Sequence, residues 1–262
     1  MQNECMKLLL PLIATLFFNC KNETQQASFS QPGLSIVNDI FPQNSWQYFL
    51  QHLPVVNAPI LDYTGKPIAN QSKHVAVINY DVGKSDLQQC ADALIRLRAE
   101  YLFAQKKFSE IGFHFCSGQY YSWDMFCKGI KPVAKGNNVT FVNSNITHAQ
   151  THESLRSYLD IVYAYASTIS LCKELKPTND FEIGTVIIKP GSPGHTCIII
   201  DEAVNKAGEK LYKLAEGYMP AQSIYILCNP YDENISPWYK LNEGKIVTAS
   251  YDFTNYQLKK FE

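Results

Sequence analysis

The chain has 262 residues, 46% of them hydrophobic and 13% aromatic, with a formal net charge of −1. That length suits one domain and is short for two, and the apolar fraction excludes a disordered polypeptide. A near-neutral chain without a basic footprint excludes a nucleic-acid binder, so no nucleic-acid partner is expected.

The first element is an export signal. Lys7 gives a positive start, and residues 8–18 (LLLPLIATLFF) form an apolar run too short to span a bilayer but suited to a signal peptide. Cys20 follows, and KNETQQASFSQPG then turns abruptly polar. In bacteria this arrangement resembles a lipobox, although Asn19 stands where a small residue usually precedes the lipidated cysteine. The reading is a signal peptide over 1–19, lipidation at Cys20 with a polar tether over 20–35, and a single globular domain over 36–262. Two acyl chains anchor stably where one does not. The expected location is therefore the cell envelope, lipid-anchored on the periplasmic face or at the outer membrane, with the membrane as a partner through the anchor.

Within the domain, Asn44-Ser45 caps a short helix over SWQYFLQHL that ends before Pro54, and KHVAVINYD (73–81) reads as a strand. Ser85 with Gln88 three residues on has the pattern of a capping box. It predicts a helix from 85 to about 106, with Leu87, Cys90, Ala91, Leu94, Leu97 and Tyr101 on one face and Cys90 in the second turn. IGFHFCSG (111–118) reads as a strand, and an aromatic, loop-rich stretch carries Tyr120, Tyr121 and Trp123. Residues 153–175 form one long helix stopped by Pro177. VIIKPGSPGHTCIIID reads as strand, turn and strand, and KLYKLAEGY and SIYILC as further strands. N-terminal helices packed on a mostly antiparallel C-terminal sheet make the class α+β.

Cys5 and Cys20 belong to the export segment, leaving Cys90, Cys116, Cys127, Cys172, Cys197 and Cys228. No CxxC or zinc spacing appears, so neither a metal nor a cofactor is expected. Cys116 and Cys127 flank a short loop and are the favoured disulfide.

QQCADALIRLRAEYL (88–102), YLDIVYAYASTISLCKEL (158–175), the GSPGH and YMPAQ segments within 191–230, and SPWY (236–239) together carry a resemblance. They look like the bacterial family of unknown function numbered 4846, over nearly the whole mature chain. The resemblance implies an exported lipoprotein and no activity.

Chemistry must come from the residues. A cysteine near a helix N-terminus, a histidine 105 residues on at the start of a strand, and a polar residue on a later strand stand in the order that papain-like enzymes need. Cys90 is the nucleophile, His195 the base, and Glu216 the group that orients the imidazole. IGTVIIKPGSPGHTCIII also resembles the segment around the histidine in the cysteine/histidine-dependent amidohydrolase/peptidase class. That likeness implies a papain-like fold; Gly184-Thr185 departs from its Gly-Asp, and Glu216 fills its later acidic or amide slot. Gly194 is expected to leave room for substrate, which Trp123, Tyr218 and Trp238 would bind. No oxyanion-hole donor is identifiable, because Gln88 and Gln89 lie closer to Cys90 than such donors do.

Each residue also has a plainer reading. Cys90 lies on an apolar stripe, His195 alternates with Cys197 and Ile199 as a core histidine would, and Glu216 has Lys213 and Lys189 as surface partners. Asp92, Arg96 and Glu100 have the i,i+4 spacing of a solvated charge ladder, and Arg98 is a candidate carboxylate clamp. Two functions follow. One is an exported papain-like cysteine hydrolase cutting amide bonds in peptidoglycan stems or peptides. The alternative is a non-catalytic envelope lipoprotein that binds glycan or a protein partner through Tyr120, Tyr121, Trp123 and the Pro237-Trp238-Tyr239 segment.

Overall fold

A computed structural model of the chain describes residues 33–37, 40–136 and 138–262. The signal segment, Cys20 and most of the tether lie outside these residues. β1 (Leu34–Ile36), α1 (Trp46–Gln51), β2 (Val55–Val56), β3 (His74–Ile78) and α2 (Cys90–Ala104) come first. The hairpin of β4 (Gly112–His114) and β5 (Tyr120–Ser122), the short α3 (Trp123–Cys127), and the hairpin of β6 (Ile130–Lys135) and β7 (Asn138–Asn143) lead to α4 (His152–Tyr165) and α5 (Thr168–Glu174). The strands that follow are β8 (Lys176–Pro177), β9 (Val186–Lys189), β10 (His195–Asn205), β11 (Lys210–Glu216), β12 (Tyr225–Leu227), β13 (Trp238–Tyr239), β14 (Ile246–Val247), β15 (Asp252–Phe253) and β16 (Gln257–Lys260).

One large antiparallel sheet organises the molecule, in the order β2-β3-β12-β11-β10-β9-β16-β8, with β1 added to β10 and β13 to β11. The architecture is mixed α and β, with few helices. These do not form a separate N-terminal half, because β1, β2 and β3 precede α2 and enter the same sheet as the C-terminal strands. β1 overlaps the end of the segment read as tether: Leu34 pairs with Asn205.

Strand alternation divides the core in two. Ile188, Ile198, Ile200, Ala215 and Ile226 meet the helices, while Ile187, Cys197, Ile199, Leu214 and Leu227 face Tyr239, Leu241, Ile246 and Phe253. α2 lies between the sheet and the other helices, so eleven of its fifteen residues are buried. A helix enclosed on all sides no longer shows a clean apolar stripe.

Two helix boundaries differ from the sequence pattern for identifiable reasons. α2 begins at Cys90, because Asp86 accepts the Ala221 N–H at 2.7 Å and the Gln89 side chain at 3.2 Å, drawing residues 85–89 out of helical geometry. Asp92 caps the true start by accepting the Gln89 N–H at 3.1 Å. The helix over 153–175 is broken by an extended Ala166, and Ser167 caps the second piece through the Ile169 N–H. Cys116 and Cys127 are not bridged. All six described cysteines are free, and the Cys116 thiol bonds instead to the Ser167 hydroxyl at 2.9 Å.

Candidate active site

β10 and β11 run antiparallel, so the first residue of β10 and the last of β11 lie at the same end of the sheet. These are His195 and Glu216, and the Glu216 carboxylate accepts the His195 Nε2 proton at 2.8 Å with both groups buried. On the next strand Tyr225 sits opposite Glu216 and donates its hydroxyl to the other carboxylate oxygen at 2.5 Å. Lys73, buried, lays its ammonium 4.3 Å over the Tyr218 ring and 5.0 Å over Tyr225. Glu216 is thus held from two sides, and its pairing with Lys213 or Lys189 does not occur; Lys213 bonds Asp201 at 2.8 Å.

The N-terminus of α2 abuts this end of the sheet. Gly217, just past β11, makes the approach possible: a Cβ there would lie 2.7 Å from the Ala93 Cβ and 3.0 Å from the Gln89 carbonyl. Cys90 is the first residue of that helix, where the backbone N–H groups have no intrahelical acceptor and the dipole favours negative charge. Its thiol neighbours the His195 ring closely enough to help hold the imidazole pKa up. Because Glu216 occupies Nε2, Nδ1 is the nitrogen left to the thiol.

Burial by itself would depress the pKa of His195. The hydrogen bonds to Cys90 and Glu216 and the negative charge on both outweigh it, holding the imidazole up to about 9. Three aromatic rings close around it, with centroids 5.0 Å away at Tyr218, 4.8 Å at Tyr251 and 5.6 Å at Phe253.

Cys90 opens on its other side into a groove of about 570 Å³ between the start of α2, the end of α4, the α4–α5 turn and the 191–194 turn. Gly194 does not leave substrate room of its own. A Cβ there would strike the Gly191 carbonyl at 2.5 Å and the Thr168 hydroxyl at 2.6 Å, so this glycine lets the turn close on α5.

The substrate-binding residues read from the sequence separate. Tyr218 is half-buried against His195, but Trp123 and Trp238 are fully buried and offer no face to a ligand. Trp123 stacks on Phe126 at 5.4 Å, and Lys213 covers Trp238 at 4.4 Å. Tyr121 is buried as well, which leaves Tyr120 alone exposed in that stretch. Apart from Tyr120, the aromatic residues of the alternative reading therefore lie in the core.

The charge ladder is core too. Arg96, fully buried, bonds Glu100 at 2.6 Å and Asp81 at 3.1 Å. Glu100 also meets His152 at 2.8 Å. Arg98 lies over the rings of Trp46, Tyr101 and Phe261, away from the groove. Among the described residues, no group of three or more His, Cys, Asp or Glu side chains is placed to hold a metal ion, and no helix is long and apolar enough to cross a membrane. Sequence reasoning missed Tyr225, whose place opposite Glu216 follows only from strand register, and Asp92, which lines the groove.

The family model described as domain of unknown function (4846) matches residues 37–260. No curated protein and no solved structure matches the chain.

Proposed function

We propose that this chain, which belongs to the domain of unknown function (4846) family, is a papain-like thiol hydrolase that cleaves an amide bond in cell-wall peptides or other peptides. The observation that carries the reading is the line Cys90–His195–Glu216: a thiol at the first residue of a helix, beside an imidazole that a buried carboxylate accepts a hydrogen bond from, at the edge of an open groove.

In the reaction the Cys90 sulfur attacks the carbonyl carbon, and His195 passes its proton to the departing amine. A thioester and a free amine result. Water then attacks the thioester, His195 takes its proton, and the acid leaves with the thiol restored. Glu216 fixes the ring and stabilises the imidazolium without itself receiving the proton. The Cys90 N–H, at the start of α2 and without an intrahelical acceptor, would serve as a main-chain donor to the developing oxyanion.

The test is chemical. At pH 7, iodoacetamide should modify Cys90 at least about tenfold faster than Cys172 or Cys197, which are buried and carry raised thiol pKa values. Peptide mapping by mass spectrometry gives the separate rates, and a Cys90 as slow as Cys197 sinks the hydrolase.

The same proposal places the enzyme at the envelope, exported and lipid-anchored through Cys20, supported by the apolar run and the polar tether. Cys20→Ser should then move the protein from membrane pellets to the soluble fraction. Unchanged partitioning of the variant removes the anchor.

A further inference from the structure

We infer that the groove beside Cys90 holds a subsite for an ammonium group, with Asp92 as its counter-ion. The amide substrate would then carry a free primary amine several bonds from the carbonyl under attack. This rests on the hydrolase reading above and names its substrate class.

Three features of the groove converge on a cation. Among the described residues, the charged side chains lining it are both carboxylates, Asp86 and Asp92, and no Lys, Arg or His contributes to its wall. Asp92 is buried. One of its oxygens accepts the Gln89 N–H at 3.1 Å, while the other, Oδ1, has no hydrogen-bond partner among the described residues. A buried carboxyl oxygen without a donor is costly, and such costs are retained where a ligand supplies the missing group. The third feature is the end of α4, which contributes Tyr163, Ala164 and Ala166 to the same wall and has no basic residue in its last turn. A helix C-terminus carries partial negative charge and carbonyls without intrahelical donors.

Burial pushes the Asp92 carboxyl up to about 8, and an ammonium arriving at Oδ1 would favour the carboxylate again. Helical geometry sets the spacing. Cys90 and Asp92 are two residues apart, roughly 200° around the helix axis, so the amine and the attacked carbonyl approach opposite sides of the helix start. A substrate must bend over that start, which places the amine several bonds away and excludes a cation adjacent to the scissile carbonyl.

The experiment is isothermal titration of the full chain carrying Cys90→Ser, at pH 7, with alanyl-alanine amide and with its N-acetylated form. The free-amine peptide should bind at least about tenfold more tightly, and adding Asp92→Asn should reduce that preference to less than about twofold. Equal affinity for the two peptides overturns the subsite, as does the lack of any heat from the free-amine peptide at millimolar concentration. The comparison between peptides stands without the variant, so a poorly folding Asp92→Asn does not protect the idea. Thiol alkylation is measured separately. An inert Cys90 with the amine preference intact would end the hydrolase reading and leave the cation site, whereas a reactive Cys90 without the preference would do the reverse.

Discussion

His195→Gln is expected to slow amide turnover by about 10²–10⁴-fold, because the thiol loses its proton acceptor and the leaving amine its donor. The same variant should lose stability in a pH-dependent way. The folded-state pKa of His195 is raised to about 9, against about 6.5 for an unfolded histidine. Below pH 6.5 both states are protonated, and the stabilisation from the Cys90 and Glu216 contacts is fully present. As pH rises from 6.5 to 9 the unfolded chain releases its proton while the folded chain keeps it, so stability falls by about 1.4 kcal/mol per pH unit. The deficit of His195→Gln against wild type should therefore be roughly 3 kcal/mol larger at pH 5.5 than at pH 9.5. Urea denaturation at the two pH values measures it. A deficit that does not change with pH would mean that His195 is not the charged partner of Cys90 and Glu216.

The largest purely structural effect should come from Arg96→Met. Arg96 is fully buried, and its removal leaves Glu100, itself 7% exposed, with His152 as its remaining charged contact and Asp81 with Arg156 alone. Breaking one side of a buried ion pair costs about 3–5 kcal/mol. Adding Glu100→Gln to the Met variant should recover part of the loss, because the stranded charge goes with it. Denaturant midpoints for the two single variants and the double variant give the coupling. Additive losses would show that Arg96 and Glu100 act independently, against the 2.6 Å contact between them.

The sequence carried the strands well and the surroundings of the site badly. β10 and β11 were legible because alternation and the glycine-rich turn before His195 are local signals, whereas Glu216 came from the likeness to the amidohydrolase/peptidase class, whose later slot it fills. The start of α2 was not legible. Ser85 and Gln88 imitate a capping box, and what overrides them is the bond from Asp86 to the backbone of Ala221, 135 positions away. Arg96 and Glu100 have the same spacing whether water or protein surrounds them, so burial alone decides between a surface ladder and a core network. Trp123 and Trp238 were misread for a related reason. An aromatic residue in a loop-rich stretch looks like a binding surface until the elements that cover it are in place, here Phe103, Phe126 and Tyr158 around Trp123.

The pairing of β3 with β12 has a consequence for how the molecule comes to exist. Val77 lies beside Tyr225, so a strand from the first third of the domain is completed by one from the last. Closure of so long a loop costs entropy before any contact offsets it, and folds rich in such pairings form slowly. Cys90, His195 and Glu216 meet at that seam, drawn from chain segments more than a hundred residues apart. A chain cut or stalled before residue 225 lacks Tyr225, and so lacks the support behind Glu216. On the hydrolase reading, a reactive Cys90 therefore needs both distant segments in place, and a partly assembled chain would carry a quiet thiol.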